Sequence, residues 1–190
     1  MNVGTHIHTA GAGPLSLPCS VFLDAPNEVA TPDFGLFRDT LNRHFYPARV
    51  EALDGHPTPH NPRIAAVHLA LTTIGYVRPG TAASVDPGDL SAYHVNVALT
   101  GTVASRCGDQ DAVASPDVAT VFSPDRHTAL PRWDADAAQL SIKLTRTRVE
   151  EELGALLGRP VVKTIDFRLA FRVDGGPGRR WLSILSALLQ

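Results

Sequence analysis

The sequence predicts a mainly β chain with helices, a sandwich or barrel of antiparallel strands followed by C-terminal helices. Short β-type runs recur about every ten residues with turn residues between them. Two of these runs, Tyr93 to Leu99 and Leu140 to Leu144, alternate cleanly between apolar and other residues. Directly after the second comes an amphipathic stretch that stops at Leu157-Gly158-Arg159-Pro160, the punctuation of a helix end.

In chain order, residues 1 to 20 are rich in Gly, Ala, Thr and Pro with weak periodicity, which predicts a flexible arm or an edge strand. One domain then occupies 21–190. Thr31-Pro32-Asp33 has the form of a helix start, with Thr31 as the hydroxyl cap and Pro32 at the first helical position. Phe34, Phe37, Leu41 and Phe45 follow at spacings of three and four, one apolar face that should end before Pro47. The proline-rich segment from Ala52 to Pro62 is a loop.

Predicted strands are Ile64 to Leu71, Ile74 to Val77, Ala92 to Leu99, Val113 to Ala114, Val118 to Phe122 and Leu140 to Leu144. Turns are expected at Arg78-Pro79-Gly80, Asp86-Pro87-Gly88-Asp89, Cys107-Gly108-Asp109 and Ser123-Pro124-Asp125. Tyr93, Val95, Val97 and Leu99 share one face, with His94, Asn96 and Ala98 on the other. Leu140, Ile142 and Leu144 likewise oppose Ser141 and Lys143. In a closed barrel the second face meets either solvent or an internal pocket, and alternation does not distinguish them.

Thr147-Arg-Val-Glu150 has capping-box spacing, with Val149, Leu153, Leu156 and Leu157 as the packed stripe of the helix it opens. Ile165 to Val173 alternates and predicts extended chain or a strand, broken by Asp174-Gly-Gly-Pro-Gly178. Arg179 to Gln190 predicts a helix apolar over more than half its surface. It ends without a cap glycine or a polar tail, so the chain is expected to be a piece of a longer protein.

Composition excludes several function classes. A net charge of -2 with scattered basic residues lacks the clustered Lys and Arg of a nucleic-acid surface. Two cysteines, Cys19 and Cys107, make neither a disulfide framework nor a CxxC pair, which fits a reducing cytoplasm. The start has no secretory pattern, and no run approaches the roughly 18 apolar residues of a membrane span. GxSxG, HExxH, P-loop and GxGxxG motifs are absent, and no catalytic residues are assigned.

A resemblance rests on Tyr93-His-Val-Asn-Val, Leu99-Thr-Gly101, Ala119-Thr-Val-Phe-Ser-Pro124 and Trp133 with Asp136. It continues through Leu140-Ser-Ile-Lys-Leu-Thr-Arg146 to Leu157-Gly158, then Asp166-Phe167 and Trp181 to Leu189. Over roughly residues 30 to 190 the chain resembles the N-terminal sensing domain of AraC-type bacterial transcription regulators. The resemblance implies a cupin-like jelly-roll barrel, helices that dimerise, and a helix-turn-helix DNA-binding portion beyond residue 190, absent from this chain. It also makes an irregular lid an alternative for Ile165 to Val173. The implied partners are a small-molecule effector, a second copy of the chain, and promoter DNA through the missing portion only, with no membrane.

Candidate ligand-binding residues are His94, Asn96, Arg106, Tyr76, His127 and Trp133, with His68 and Arg78 also weighed. A pocket-facing His94 would suit a carboxylate or a hydroxyl, against the plainer reading of a solvent-facing polar strand side. Tyr76 and Trp133 serve equally well as core packing. Candidate dimer contacts are Val149, Leu153, Leu156, Trp181, Leu185 and Leu188, because the helices carry more apolar area than a barrel edge covers. His6-Ile-His8 has the spacing of a strand-borne metal pair, but its next glutamate, Glu28, is too far along; His56 and His60 lack a helix to align them. No metal and no cofactor are therefore assigned. The leading expectation is an effector-sensing and dimerisation domain of a regulator, the alternative a cupin-type metal-dependent enzyme such as a dioxygenase or isomerase.

Overall fold

The computed structural model describes residues 28–54, 60 and 62–189. The expected arm, the His6–His8 pair, Cys19 and His56 lie outside the described residues. The elements are β1 (Val29–Ala30), α1 (Phe34–His44), β2 (Arg49–Ala52), β3 (Arg63–Leu69), β4 (Thr72–Arg78), β5 (Ala83–Asp89), β6 (Tyr93–Thr100), β7 (Val103–Cys107), β8 (Gln110–Ala114), β9 (Val118–Phe122), β10 (His127–Trp133) and β11 (Ala138–Leu144). Then come α2 (Arg146–Leu157), β12 (Ala170–Arg172) and α3 (Gly176–Leu188).

One sheet runs β1-β3-β4-β11-β6-β9-β12 and the other β2-β5-β10-β7-β8. From β4 to β11 the chain passes to the opposite sheet at every step except the β7–β8 hairpin. That alternation, with antiparallel pairing throughout, is the jelly roll that the resemblance implies.

Two apolar layers hold it. The first lies between the sheets, where Phe37, Leu41 and Phe45 from α1 and its end meet Ile64, Val77, Val103, Phe122, Leu130 and Trp133. The second lies outside the larger sheet, where Leu182, Leu185 and Leu189 cover Val95, Val97, Leu140 and Ile142. Burying each such leucine contributes on the order of 1.5–3 kcal/mol. Strand β6 is buried on both faces for this reason. The apolar face of β6 and β11 points outward under α3, and the polar face points into the barrel.

Several local expectations change. The α1 cap is Asp33, whose Oδ1 accepts from the Gly35 and Leu36 amides; Thr31 Oγ1 instead accepts from the Asp33 amide. The Asp86–Asp89 turn is absorbed into β5, where Gly88 pairs with Thr128 and Asp89 with His127 before a register shift, so this is a bulge. Strands β7 and β10 were not predicted, since Ser105, Arg106, Pro131 and Arg132 interrupt their apolar texture.

The capping box at Thr147 does not form, because α2 begins two residues earlier, after Thr145. Thr145 Oγ1 donates to the Leu71 carbonyl, and Glu150 is committed to Arg146 and Tyr93. None of the α2 side chains is buried, so Val149, Leu153, Leu156 and Leu157 are not a packed stripe. Of Ile165 to Val173, only β12 is strand, on the edge of β9. The residues before it follow the barrel irregularly, with the Gln110 side chain bonding Phe167 and Leu169 and Ser123 Oγ accepting from the Phe167 amide.

Candidate ligand-binding site

The inward polar face of β6 and β11 builds one connected strip. The register pairs Asn96 with Ser141, and His94 with Lys143. Gln139 Nε2 donates to Ser141 Oγ (2.9 Å), Ser141 Oγ donates to Asn96 Oδ1 (3.1 Å), and the same oxygen accepts from His94 Nε2 (2.9 Å). His94, Asn96, Gln139 and Ser141 are all at most 7% exposed. Buried polar atoms are nearly always paired, so those left over mark where something else fits. Among the described residues Thr120 Oγ1, opposite Asn96 on β9, is left over, and so are three on the strip's open side: His94 Nδ1, Gln139 Oε1 and the Tyr46 hydroxyl.

The last three border a cavity between the sheets. Its apolar wall comes from Leu41 and Phe45 at the end of α1, Val85 and Leu90, Phe122, Leu130 and Trp133; Tyr46, Ala48 and Pro87 also line it. The cavity has a volume of about 50 Å³ and opens to solvent at its mouth. At roughly 10–15 Å³ per water, the enclosed part holds a few waters or a compact group.

His94 sits among the rings of Phe45, Tyr46 and Phe122, with centroids 5.7, 5.6 and 6.2 Å away. Desolvation there pushes its imidazole down to about 4, against the gain from Asn96 and with help from the Lys143 charge, so the ring is neutral near pH 7. With Nε2–H given to Asn96, Nδ1 is the bare acceptor. Burial pushes the Tyr46 phenol well up, so its hydroxyl stays protonated. Lys143 Nζ donates to the Phe45 carbonyl at 2.8 Å and lies 4.2 Å from the Tyr46 ring centre, tying the end of α1 to β11. Burial also lowers the Lys143 ammonium.

The predicted ligand residues separate into two groups. His94, Asn96 and Trp133 border the cavity, although Trp133 spends its indole N–H on the Ala137 carbonyl (2.9 Å). The other three are not brought to it. Arg106 is exposed on β7 and paired with Asp111 at 2.7 Å. His127 is exposed beside Asp86. Tyr76 lies on the outer face of β4, against the layer under α3. His68 is exposed near the end of β3, away from the cavity, with its ring stacked on His44 of α1. In β7 and β4 the alternation places these side chains on the far face of the pleat. Gln139, Ser141 and Tyr46 were missed. Gln139 and Ser141 share the alternation of His94 and Asn96, a signal present in the sequence, but only strand pairing makes them neighbours.

Of the predicted dimer residues, Leu185 is buried within its own fold and Trp181 partly so, edge-on to Phe171. Val149 and Leu153 are half-buried, while Leu156 and Leu188 are exposed. Among the described residues no three His, Cys, Asp or Glu side chains converge as a metal-ligand set. Among them also, no helix is long and apolar enough to cross a membrane.

Comparison with known proteins adds to this geometry. A family model for the AraC-binding-like domain matches residues 37–190. A probable thc operon regulatory protein of Rhodococcus erythropolis is 30% identical over 147 residues, 76% of this chain and 44% of that protein. The chain thus spans under half the length of this curated relative. The solved AraC-like transcriptional activator CuxR is 15% identical, with 70% of this chain and 53% of that one covered and a TM-score of 0.49. A cupin-2 domain from Rhodospirillum rubrum is 14% identical, covering 58% of this chain and 88% of that one at a TM-score of 0.33.

Proposed function

The chain belongs to the AraC-binding-like domain family, and from that premise we propose that it is the effector-sensing and dimerisation part of a bacterial AraC-type transcription regulator acting in the cytoplasm. The observation that carries this reading is the enclosed strip with three unpartnered polar atoms. A small molecule bonding to these atoms favours the arrangement that presents them to the cavity, and only such differential binding shifts an equilibrium.

The strip is joined to the elements that would transmit the change. Lys143 links it to the end of α1, and β11 runs through Thr145 directly into α2. Next to His94 in β6, Tyr93 points the other way and bonds Glu150 of α2. Dimer contact is assigned to α2 and α3, which leave Leu156, Leu157, Ile184 and Leu188 exposed. Promoter DNA is contacted through a helix-turn-helix portion outside these 190 residues.

The test is a thermal-shift screen of small metabolites on the chain and on Ser141→Leu, whose side chain fills the cavity. Compounds that stabilise the parent and not the filled variant support the reading. A screen without such compounds, or with shifts indifferent to Ser141→Leu, overturns it.

A further inference from the structure

The cavity sorts ligands by charge, an inference that rests on the sensing role above and specifies its chemistry. Among the described residues no Lys, Arg, Asp or Glu lines the space. The nearest cation, Lys143, is committed to the Phe45 carbonyl and the Tyr46 ring. A carboxylate would therefore give up its hydration without a counter-charge and meet the lone pairs of His94 Nδ1 and Gln139 Oε1. An ammonium would find those acceptors, but no carboxylate to pair with, and the Lys143 charge nearby opposes it.

A hydroxyl suits the strip from both sides. It donates to His94 Nδ1 and accepts from the Tyr46 hydroxyl, whose oxygen has no partner among the described residues. The remaining wall is aliphatic and aromatic, and the enclosed space is small. We propose that the cavity takes an uncharged, hydroxyl-bearing molecule with a compact apolar body, its hydroxyl held between His94 and Tyr46, whose rings lie 5.6 Å apart. The carboxylate alternative left open by the sequence is thereby set aside.

Three probes of one shape and different charge test this: benzyl alcohol, benzoate and benzylamine, titrated into the 190-residue chain by calorimetry and thermal shift. At about ten times its dissociation constant, benzyl alcohol should raise Tm by about 3–5 °C. Tyr46→Phe removes a hydroxyl that bonds nothing among the described residues, so it should fold normally and bind benzyl alcohol about 5–10-fold more weakly. Tighter binding of benzoate or benzylamine, lost in Ser141→Leu, overturns the charge assignment and leaves the sensing role standing. An unchanged affinity in Tyr46→Phe, or no stabilisation by any of the three, overturns this proposal. Shifts that persist in Ser141→Leu count against the cavity itself and so against both.

Discussion

The Tyr93 hydroxyl donates to Glu150 Oε1 at 3.1 Å and accepts from the Ile165 amide at 2.8 Å, so one buried phenol fastens strand β6 to both α2 and the chain that follows it. Burial pushes this phenol up to about 12, and the donor keeps its proton throughout the neutral range. Arg146 reinforces the seat of α2 by bonding Glu150 (3.0 Å), Asp125 (2.7 Å) and Thr164. Since α2 fully buries no side chain of its own, these polar ties add to the half-buried Val149 and Leu153 in holding it to the barrel.

Tyr93→Phe keeps the ring packed edge-on against Phe167 and deletes the two bonds. The expected cost is about 1–3 kcal/mol, because the Ile165 amide and Glu150 lose a partner. Hydrogen exchange should show the loss concentrated in 146–157 and near 165, with β6 and β11 still protected. Uniform loss of protection across the barrel would show instead that Tyr93 holds the core.

The neutral His94 makes stability depend on pH in a defined direction. Its folded value of about 4 lies below the ordinary 6.5, so the unfolded chain binds the proton more readily. Stability from this group is fully present above pH 6.5, falls as the pH drops from 6.5 towards 4, and then levels off, by roughly 3 kcal/mol in total. His44, lowered by burial and by the neighbouring His68 and Arg43, acts in the same sense. Denaturant midpoints measured between pH 7.5 and 4.5 should fall in the parent chain and flatten in His94→Gln. An equal slope in both would move the effect to His44.

How much was legible in the sequence follows from which interactions are local. The alternation at Tyr93–Leu99 and Leu140–Leu144 depends on the chain alone, and both strands formed where expected. Which face turns inward depends on α3, more than thirty positions further on, and no local pattern encodes that. Buried polar positions such as Asn96 and Ser141 look like a solvated edge until the two strands are paired. The α2 stripe failed for the converse reason: apolar spacing at Val149, Leu153 and Leu156 describes a face and not what meets it. His94 and Asn96 were nameable only as one polar strand face, Gln139 and Ser141 carried the same alternation with nothing to mark them as neighbours, and Tyr46 carried no such signal.

Gly178 sets how closely α3 approaches β12. A Cβ there would lie 1.8 Å from the Arg172 carbonyl oxygen, against backbone that cannot step aside. Gly178→Ala should therefore lift the helix from Leu140 and Ile142 and cost more than about 2 kcal/mol. Gly175→Ala, three residues earlier with nothing within 4 Å, is the control and should shift Tm far less. Equal effects of the two would point to chain entropy, and the close approach would then not be the limiting contact.

The dimer assignment makes a prediction at positions that the fold itself does not need. Leu156 is 83% exposed and Leu188 74% exposed, so a charge at either leaves both apolar layers intact. If α2 and α3 meet a second copy, Leu156→Glu and Leu188→Glu desolvate a carboxylate at the contact, weakening association at least tenfold. Light scattering across a dilution series should then show monomer at concentrations where the parent is a dimer, with unchanged far-UV circular dichroism. Leu185→Glu is the contrasting variant: Leu185 is buried against the chain's own sheet, so the expected result is loss of folding rather than clean dissociation. A parent chain that is monomeric throughout, or exposed-site variants that remain dimeric, would remove α2 and α3 from the interface.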